Sequence, residues 1–454
     1  MRNPEHQVKR LRILTPADLE RLDSATMQVL STTGVAVPSE RGRAALRAAG
    51  ARVEGAVVKF PESVLRELIA RAPGDFVMGA RAGRDLVTGR GSLFTPDGCP
   101  AEVYDIVTGE KRPSTAADVA AIAHVVDALD EVDFCWPAVS AQDRPVGRRG
   151  LHEIYLALAN TGKHVQTVTI TDPEQARVAV DMARLIAGGE RACRERPPIS
   201  ALLGTVTPLG NDEATLDAGL VFAEAGIPIG FVTMPQGGST TPITMAGSLV
   251  VGMAETLADV AMIEAVVPGA PVFICFIPSI MDLRTGDFTG GAPEDTLMGA
   301  AAGDIGDYYD LPTQCGINAS GAKVVGWQTA MEDVTTTLTS LLAGVDMLTG
   351  VGMVAGGRIF DYGEMVLGAR VARLARTLAG AATAHDGLGA PAHGPVGAAA
   401  AALGHFAADM ADASDGALVV AQARQQAREL LATHEPPRLD EALDADLQRL
   451  VEGA

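Results

Sequence analysis

The chain has 454 residues, of which 47% are hydrophobic, and its 36 Lys and Arg stand against 56 Asp and Glu for a formal net charge of −20. That length and apolar content bury a large core, so one big domain with appendages is expected. The acidic balance argues against nucleic acid or an anionic membrane as the main partner, since both require clustered Lys and Arg, and it tolerates cationic ligands.

In chain order, Thr15 caps a helix with Pro16 at its first position and Asp18 in its first turn, and Gly34 follows its end. A second helix starts after Pro38 and Ser39 and stops at Gly50; RVEGAVVKF reads as a small hairpin; Pro61 opens a third helix to about Arg71. Residues 1–90 therefore read as a mostly helical cap. From Gly91 the texture changes to short β-branched or aromatic runs, each followed by a helical pattern. The runs are Ser92 to Asp97, Val132 to Ser140, His164 to Ile170, Ile199 to Thr205, Pro228 to Met234, Val272 to Ile277, Thr313 to Ile317 and Val345 to Val354. Uninterrupted apolar strands alternating with helices imply a parallel sheet buried on both faces, and eight βα units close most simply as a (β/α)8 TIM barrel over residues 91–380. A doubly wound open sheet is the alternative, but no strand is followed at once by GxGxxG or GxxxxGK[ST].

Residues 381–454 read as a Gly/Ala/Pro-rich loop and C-terminal helices, the last of them amphipathic and packed on the barrel or on a second subunit. His385 and His393 fall in that loop without a Cys or carboxylate at ligand spacing, so no metal site is expected. The five cysteines, Cys99, Cys135, Cys193, Cys275 and Cys315, are odd in number and include no CxxC pair, which suits free thiols in a reducing cytosol. With no apolar signal core and no run of about 18 uncharged apolar residues, a soluble cytoplasmic protein is expected.

The most informative stretch runs from Leu311 to Leu374, two consecutive βα units. In its first helix Trp327, Met331, Val334, Leu338 and Leu341 form one apolar stripe, flanked by Gln328 and Glu332 four residues apart on a shared face. Glu364 falls in the first turn of the second helix. Helix starts lie beside strand ends in such units, so these groups belong near the rim where barrels bind ligands.

The same stretch (AKxxxxQxxxE, LAG, GxG, GG and an acid before an aliphatic helix) resembles the trimethylamine methyltransferase superfamily, the MttB-like corrinoid-dependent methyltransferases. LTPADLERLDSATMQVLSTTGVAV, VYDIVTGEKRPSTAADV, PQGGSTTPITMAGSLVVGMAETLADV and VPGAPVFICFIPSIMDLRTGDFTGGAPE follow in family order. The resemblance implies a (β/α)8 barrel with a helical N-terminal addition. It also implies transfer of a methyl group from a methylated amine to the cob(I)alamin of a separate corrinoid protein, and a homo-oligomer. With only standard residues, the chain is similar to the non-pyrrolysine, glycine betaine-type branch, so a quaternary amine is the expected donor. Its nitrogen is already a competent leaving group, so a Co(I) nucleophile needs only orientation and desolvation. Gly321, Gly326 and Thr349 stand where the family reads two carboxylates and an imidazole, which points to a different donor.

Glu332 and Gln328 are the candidate catalytic residues, orienting substrate or an adjacent loop. A quaternary ammonium calls for aromatic faces, and aromatics make up only 4% of the chain. Phe94, Trp136, Phe276, Trp327 and Tyr308 are therefore candidates for substrate binding, although each also serves as ordinary packing. Lys323 either binds a substrate carboxylate or pairs with Glu332. Asp282 and Arg284 clamp a carboxylate or pair with one another. Thr349 and Glu364 complete the substrate set, and Gly237, Gly238, Gly350 and Gly352 permit the close approach of a corrin ring or mark tight turns. Two other classes remain open: a barrel lyase or hydrolase of a small acid with Glu332 as base, and a catalytically diverged barrel acting as a ligand-binding protein.

Overall fold

Along each apolar run the side chains alternate between two surfaces, and the strands so formed close on themselves. A computed structural model of the chain describes residues 10–383 and 416–453. Seven parallel strands lie side by side in the order Leu93–Thr95, Met347–Thr349, Thr313–Gly316, Val272–Phe276, Ile229–Thr233, Ile199–Gly204 and Val165–Thr167. The gap between the last and the first is filled by residues 133–136. Cys135 bridges Val165 in parallel and its N–H donates to His164 O at 2.8 Å, while the Asp133 N–H donates to Phe94 O at 2.8 Å. The result is the expected (β/α)8 barrel, with the Leu93–Thr95 strand first in chain order and residues 133–136 second.

Side chains facing the axis form one cluster, Leu93, Phe134, Trp136, Leu202, Val232, Phe273, Cys275 and Met347. Their strand neighbours Phe94, Cys135, Val165, Ala201, Phe231, Ile274, Phe276, Cys315 and Leu348 join a larger cluster between the strands and the helices. With both faces covered, the strands read as continuous apolar runs. The helices that follow the eight strands are α4 (Ala116–Ala128), α5 (Arg149–Asn160), α6 (Pro173–Ala187), α8 (Glu213–Ala225), α9 (Met245–Val266), α10 (Pro293–Tyr309), α11 (Trp327–Ala343) and α12 (Tyr362–Thr383), with a short α7 (Glu190–Glu195) after α6.

The N-terminal helices α1 (Pro16–Thr32), α2 (Glu40–Ala48) and α3 (Glu62–Ile69) begin where the sequence signals place them, Thr15 and Ser39 capping the first two. All three pack against α9, which is apolar around most of its circumference because it is buried between them and the barrel. A short antiparallel pair, Val77–Met78 with Leu86–Val87, carries Phe76, Met78 and Leu86 into the axial cluster and plugs the N-terminal end of the barrel. The helix Gly416–Thr433 packs on α12 and α4, and Glu441–Glu452 packs on α5 and α6, so both C-terminal helices lie against the barrel. No described helix is long and apolar enough to cross a membrane. The five cysteines are free, with Cys99 exposed and the other four buried.

Two strands are shorter than their runs. Val132 to Ser140 keeps one bridge, because Pro137 has no N–H to continue a ladder. Val345 to Val354 breaks after Thr349, where Gly350 and Gly352 take φ of 145° and 98°. A Cβ on Gly350 would lie 1.5 Å from Ile317 O, so only glycine fits. The chain then turns into a four-stranded sheet at the mouth, Met353–Val354, Ile359–Asp361, Glu102–Tyr104 and Lys111–Pro113.

The seam between first and second strands is secured by the Asp133 carboxylate. It accepts the Phe94 N–H at 2.7 Å and pairs with Arg376 of α12, whose guanidinium stands 4.6 Å above the Phe94 ring. Asp133→Ala leaves that N–H without its acceptor and the Arg376 guanidinium with only the Glu131 and Ser92 carbonyls, and is expected to cost roughly 1–3 kcal/mol. Urea unfolding would show the loss as a lowered midpoint, with a smaller drop for Asp133→Asn.

Candidate functional site

Polar side chains run along the inside of the barrel from its base. His164 is buried, and its Nδ1 lies 3.2 Å from the carbonyls of Gly79 and Pro197, so Nδ1 carries the proton. Burial pushes the imidazole pKa down to about 4 and keeps the ring neutral. Nε2 then accepts from the Ser200 hydroxyl at 2.9 Å, Ser200 accepts from Gln166 Nε2 at 3.4 Å, and Gln166 Oε1 accepts from Gln314 Nε2 at 3.0 Å. The histidine tautomer thus sets the direction of every donor. It leaves Gln314 Oε1 a buried acceptor without a partner.

Two residues beyond Gln314, Gly316 pairs with Thr349 and Thr349 with Thr95, which brings three strands level at the mouth. Asp97 follows at 8% exposure. Its carboxylate accepts the Gly98 N–H and lies beside the Thr349 hydroxyl, which donates to Pro96 O at 2.7 Å. Burial raises the Asp97 pKa to about 6, and no Lys or Arg offsets it. The Asp97 charge acts on Cys275 of the sixth strand, which places the carboxyl over the barrel interior. Trp136 Nε1 and Thr95 Oγ1 are also buried without partners. Buried polar atoms are nearly always paired, so each of these atoms marks a place for water or for a ligand. Above it the barrel opens: Gly204 is exposed, a Cβ there would meet nothing within 4 Å, and Met234 is 52% exposed.

Of the candidates named from the sequence, Trp136 and Thr349 belong to this mouth. Phe94 and Phe276 do not: both face the helix layer, one residue out of phase with the axial cluster. Tyr308 sits at the C-terminal end of α10, edge-on to Tyr309 at 5.0 Å. A helix that leads into the next strand ends at the base of the barrel, far from the mouth. Asp282 and Arg284 pair with one another at 2.9 Å in an exposed loop.

Glu332 and Gln328 share a face, as their spacing requires, with Gln328 Nε2 donating to Glu332 at 2.9 Å. Glu332 also accepts from the Ser320 hydroxyl at 2.5 Å and the Gly321 N–H at 3.0 Å, so its carboxylate holds the loop after the seventh strand. A Cβ on Gly321 would lie 2.2 Å from Thr289 O, which is why glycine stands there. Lys323 is exposed, and its carbonyl accepts from the Tyr104 hydroxyl at 2.8 Å. Trp327, the first residue of α11, is 84% exposed. Gly237 and Gly238 lie in the loop after the fifth strand, where Ile243 and Leu283 approach Gly238; Gly350 and Gly352 serve the break described above.

Glu364, at 2% exposure in the first turn of α12, faces the buried Asp333 of α11 between the two helices. Burial, with the Glu332 charge nearby and against the lowering effect of the Glu364 hydrogen bond, holds Asp333 at about 7, and burial and then Asp333 hold Glu364 well above the ordinary range. Asp97, Thr95, Gln166 and Gln314 escaped the sequence reading, although Asp97 closes the first strand-like run. No cluster of metal-ligating side chains occurs among the described residues, and His385 and His393 lie outside them.

A family model described as trimethylamine methyltransferase (MTTB) matches residues 1–410. A trimethylamine methyltransferase MttB from Desulfitobacterium hafniense is 30% identical over 81% of this chain and 75% of its own length. A glycine betaine methyltransferase from the same species is 26% identical over 97% and 96%. In structure, the Methanosarcina barkeri monomethylamine methyltransferase MtmB covers 92% of this chain and 92% of its own at a TM-score of 0.50 and 15% identity, a likeness of fold.

The Asp333 and Glu364 pair fixes the sign of one pH effect. Both carboxyls are raised in the folded chain, whereas unfolded ones ionise near about pH 4. Their stabilising contribution is therefore complete below about pH 4 and is lost as pH rises toward about 7. Glu364→Gln is expected to flatten the fall in melting temperature between about pH 5 and about pH 8. Equal slopes in wild type and variant would show that the pair holds no extra proton.

Proposed function

The chain belongs to the trimethylamine methyltransferase family, and from that premise we propose that it moves a methyl group from a methylated amine, bound in the barrel mouth, to the cob(I)alamin of a separate corrinoid protein. The observation that carries this reading is a ring of exposed apolar side chains around a polar floor. Val206, Met234, Ile243, Leu283 and Val324 lie on βα loops or strand ends at the C-terminal end of the barrel and Trp327 and Met331 on the first turns of α11, each between 52% and 84% exposed. Exposed apolar groups in such concentration mark a surface made for contact. Their loops surround the opening at Gly204, so a partner seated on them faces the floor.

In this reading the corrinoid, when delivered, supplies the nucleophile. The residues of this chain bind the donor, fix the direction of its N–CH3 bond and exclude water. The bond breaks with its electron pair left on nitrogen, so a quaternary donor departs as a neutral amine and needs no proton. That suits a floor whose exchangeable protons are few. Orientation and desolvation are then the main catalytic tasks. Glu332 is a positioning residue, keeping the loop that carries Val324 and Trp327 at the rim.

Incubation of the protein with reduced cobalamin and a panel of methylated amines tests the reading through the corrinoid absorbance. Methylation with at least one amine is expected, and no change with any of them would overturn it. Trp327→Ala should slow the reaction with the corrinoid protein roughly 10-fold or more, as loss of a central aromatic contact does. The defect should be confined to that assay; an equal loss with excess free cob(I)alamin would place Trp327 in substrate binding instead.

A further inference from the structure

The rim of the mouth is held from outside the barrel. In the mouth sheet, the hairpin of Glu102–Tyr104 and Lys111–Pro113 turns through Val107, which is 73% exposed. Asp105 orders that turn, accepting the Val107 and Thr108 N–H groups at 3.0 and 2.9 Å and pairing with Arg112 at 2.8 Å. Loop 318–326 lies on the same sheet. The Ala355 N–H donates to Ala322 O at 2.8 Å, the Gly356 N–H to Ser320 O at 2.7 Å and the Tyr104 hydroxyl to Lys323 O at 2.8 Å, while Val325 and Tyr104 pack against Val354, Ala355 and Ile359. The loop runs into Trp327, and Gly326 at the cap position has no side chain to order that first turn. Against the sheet stands the helix Gly416–Thr433. Its fully buried Ala423 and Ala427 seat it on α12 and α4, and Gln426 accepts from Arg370 of α12 at 2.8 Å. Two of its arginines reach the sheet. Arg428 donates to Ile106 O at 2.6 Å, next to Val107. Arg424 pairs at 2.6 Å with Asp361, which is fully buried, and its guanidinium lies 5.7 Å from the centre of the Tyr104 ring. A Cβ on Gly109 would lie 2.7 Å from Arg424 Nη1, so the hairpin turn closes on the guanidinium.

We propose that the helix Gly416–Thr433 braces the rim on which the corrinoid protein docks, with Arg424 and Arg428 as positioning residues that hold the Val107 turn and the loop leading to Trp327 in one arrangement. The proposal rests on the methyl-transfer reading of the preceding subsection and extends its docking surface to a helix that contributes no residue to the floor. A partner that must order the loops it binds loses affinity to their entropy, so a rim fixed in advance binds more tightly. The two arginines suit that task. Asp361 also accepts the N–H groups of Gly363 and Glu364 at 2.7 and 3.3 Å, so its pairing with Arg424 ties the C-terminal helix, the sheet and the start of α12 at one buried point. Leaving that carboxylate unpaired is costly. Arg424 in turn faces the ring of Tyr104, whose hydroxyl holds the loop. A helix that only covered apolar surface would need its alanine seat and neither arginine.

Trp327 reports the state of the rim without any reaction, because the only other tryptophan, Trp136, is buried and shielded from acrylamide. Tyr104→Phe removes the hydroxyl bond to the loop, and Arg424→Gln removes the ion pair. Time-resolved anisotropy of the acrylamide-quenchable tryptophan should show faster local motion in both variants, and Arg424→Lys should restore part of the order. With the corrinoid protein as acceptor, KM for that protein should rise about fivefold or more while kcat and the rate with excess free cob(I)alamin stay at the wild-type level. Tyr104→Phe, which deletes one exposed hydroxyl, keeps the test decisive where Arg424→Gln fails to fold. Unchanged Trp327 motion in Tyr104→Phe and in every folded Arg424 variant overturns the proposal, and so does an equal loss of rate with free cob(I)alamin. The wild-type absorbance assay separates the two levels. Looser Trp327 in the variants of a protein that methylates cobalamin from no amine supports the brace and sinks the reading that names its partner. Methylation by wild type, with Trp327 and KM unmoved in the variants, sinks the brace alone.

Discussion

The mouth of this barrel exists because Asp133 does the work of a missing ladder. Pro137 prevents the second strand from pairing along its length, so residues 133–136 are held by a few backbone bonds and one side chain. The Asp133 carboxylate binds the backbone of the first strand, and Arg376, reaching in from α12, neutralises it while covering Phe94. One interaction therefore joins the first, second and last βα units. It places Thr95 and Asp97 beside Trp136 at the same opening. It also explains why Phe94 is an outward residue: its ring is the surface on which the guanidinium rests.

The loops above the barrel follow a common plan in which an acid on a helix gathers backbone and hydroxyl donors from a loop. Glu153 takes the Ala141 N–H and the Thr169 hydroxyl; Glu255 takes the hydroxyls of Thr205, Thr207 and Thr233 with the Leu209 N–H. Asp295 takes the N–H groups of Ile280 and Ala292 and the Thr289 hydroxyl, and Glu332 takes Ser320 and Gly321. These carboxylates are consumed in shaping the rim, which is why acids at strand ends, suggestive of catalysis in a sequence, become scaffolding in the structure. Asp97 departs from the plan, since its backbone donor is its own neighbour Gly98 and it ties no loop to a helix.

Much of the barrel was legible because its signals are local. Eight apolar runs alternate with helices opened by caps such as Asp172, Asp212 and Thr244, and the four-residue spacing of Gln328 and Glu332 correctly put them on one face. Which side of a strand faces the axis was not legible. A parallel strand buried on both faces shows no alternation, so Phe94 and Trp136 looked alike although they are opposite in phase. Tyr308 was misjudged for a different reason: nearness in sequence to a strand says nothing about which end of it. The facing of Asp333 and Glu364, and the lack of a partner for Asp97, arise from packing between distant segments and leave no local pattern.

With so few aromatic residues, the interior of the barrel owes its polarity to a chain of hydrogen bonds. His164, fixed in its tautomer by two carbonyls at the base, makes Ser200, Gln166 and Gln314 donate in sequence toward it. A series of hydrogen bonds aligned in one direction adds its dipoles, and in an interior of low dielectric their field is weakly screened. The hydrogen ends of these dipoles are turned to the base and an unfilled oxygen, that of Gln314, is left at the other end, with Asp97 enclosed beyond it. A neutral imidazole at the base thus helps set the sign of the potential at the mouth. The same interior that closes the fold leaves the oxygen end of its aligned dipoles toward the opening.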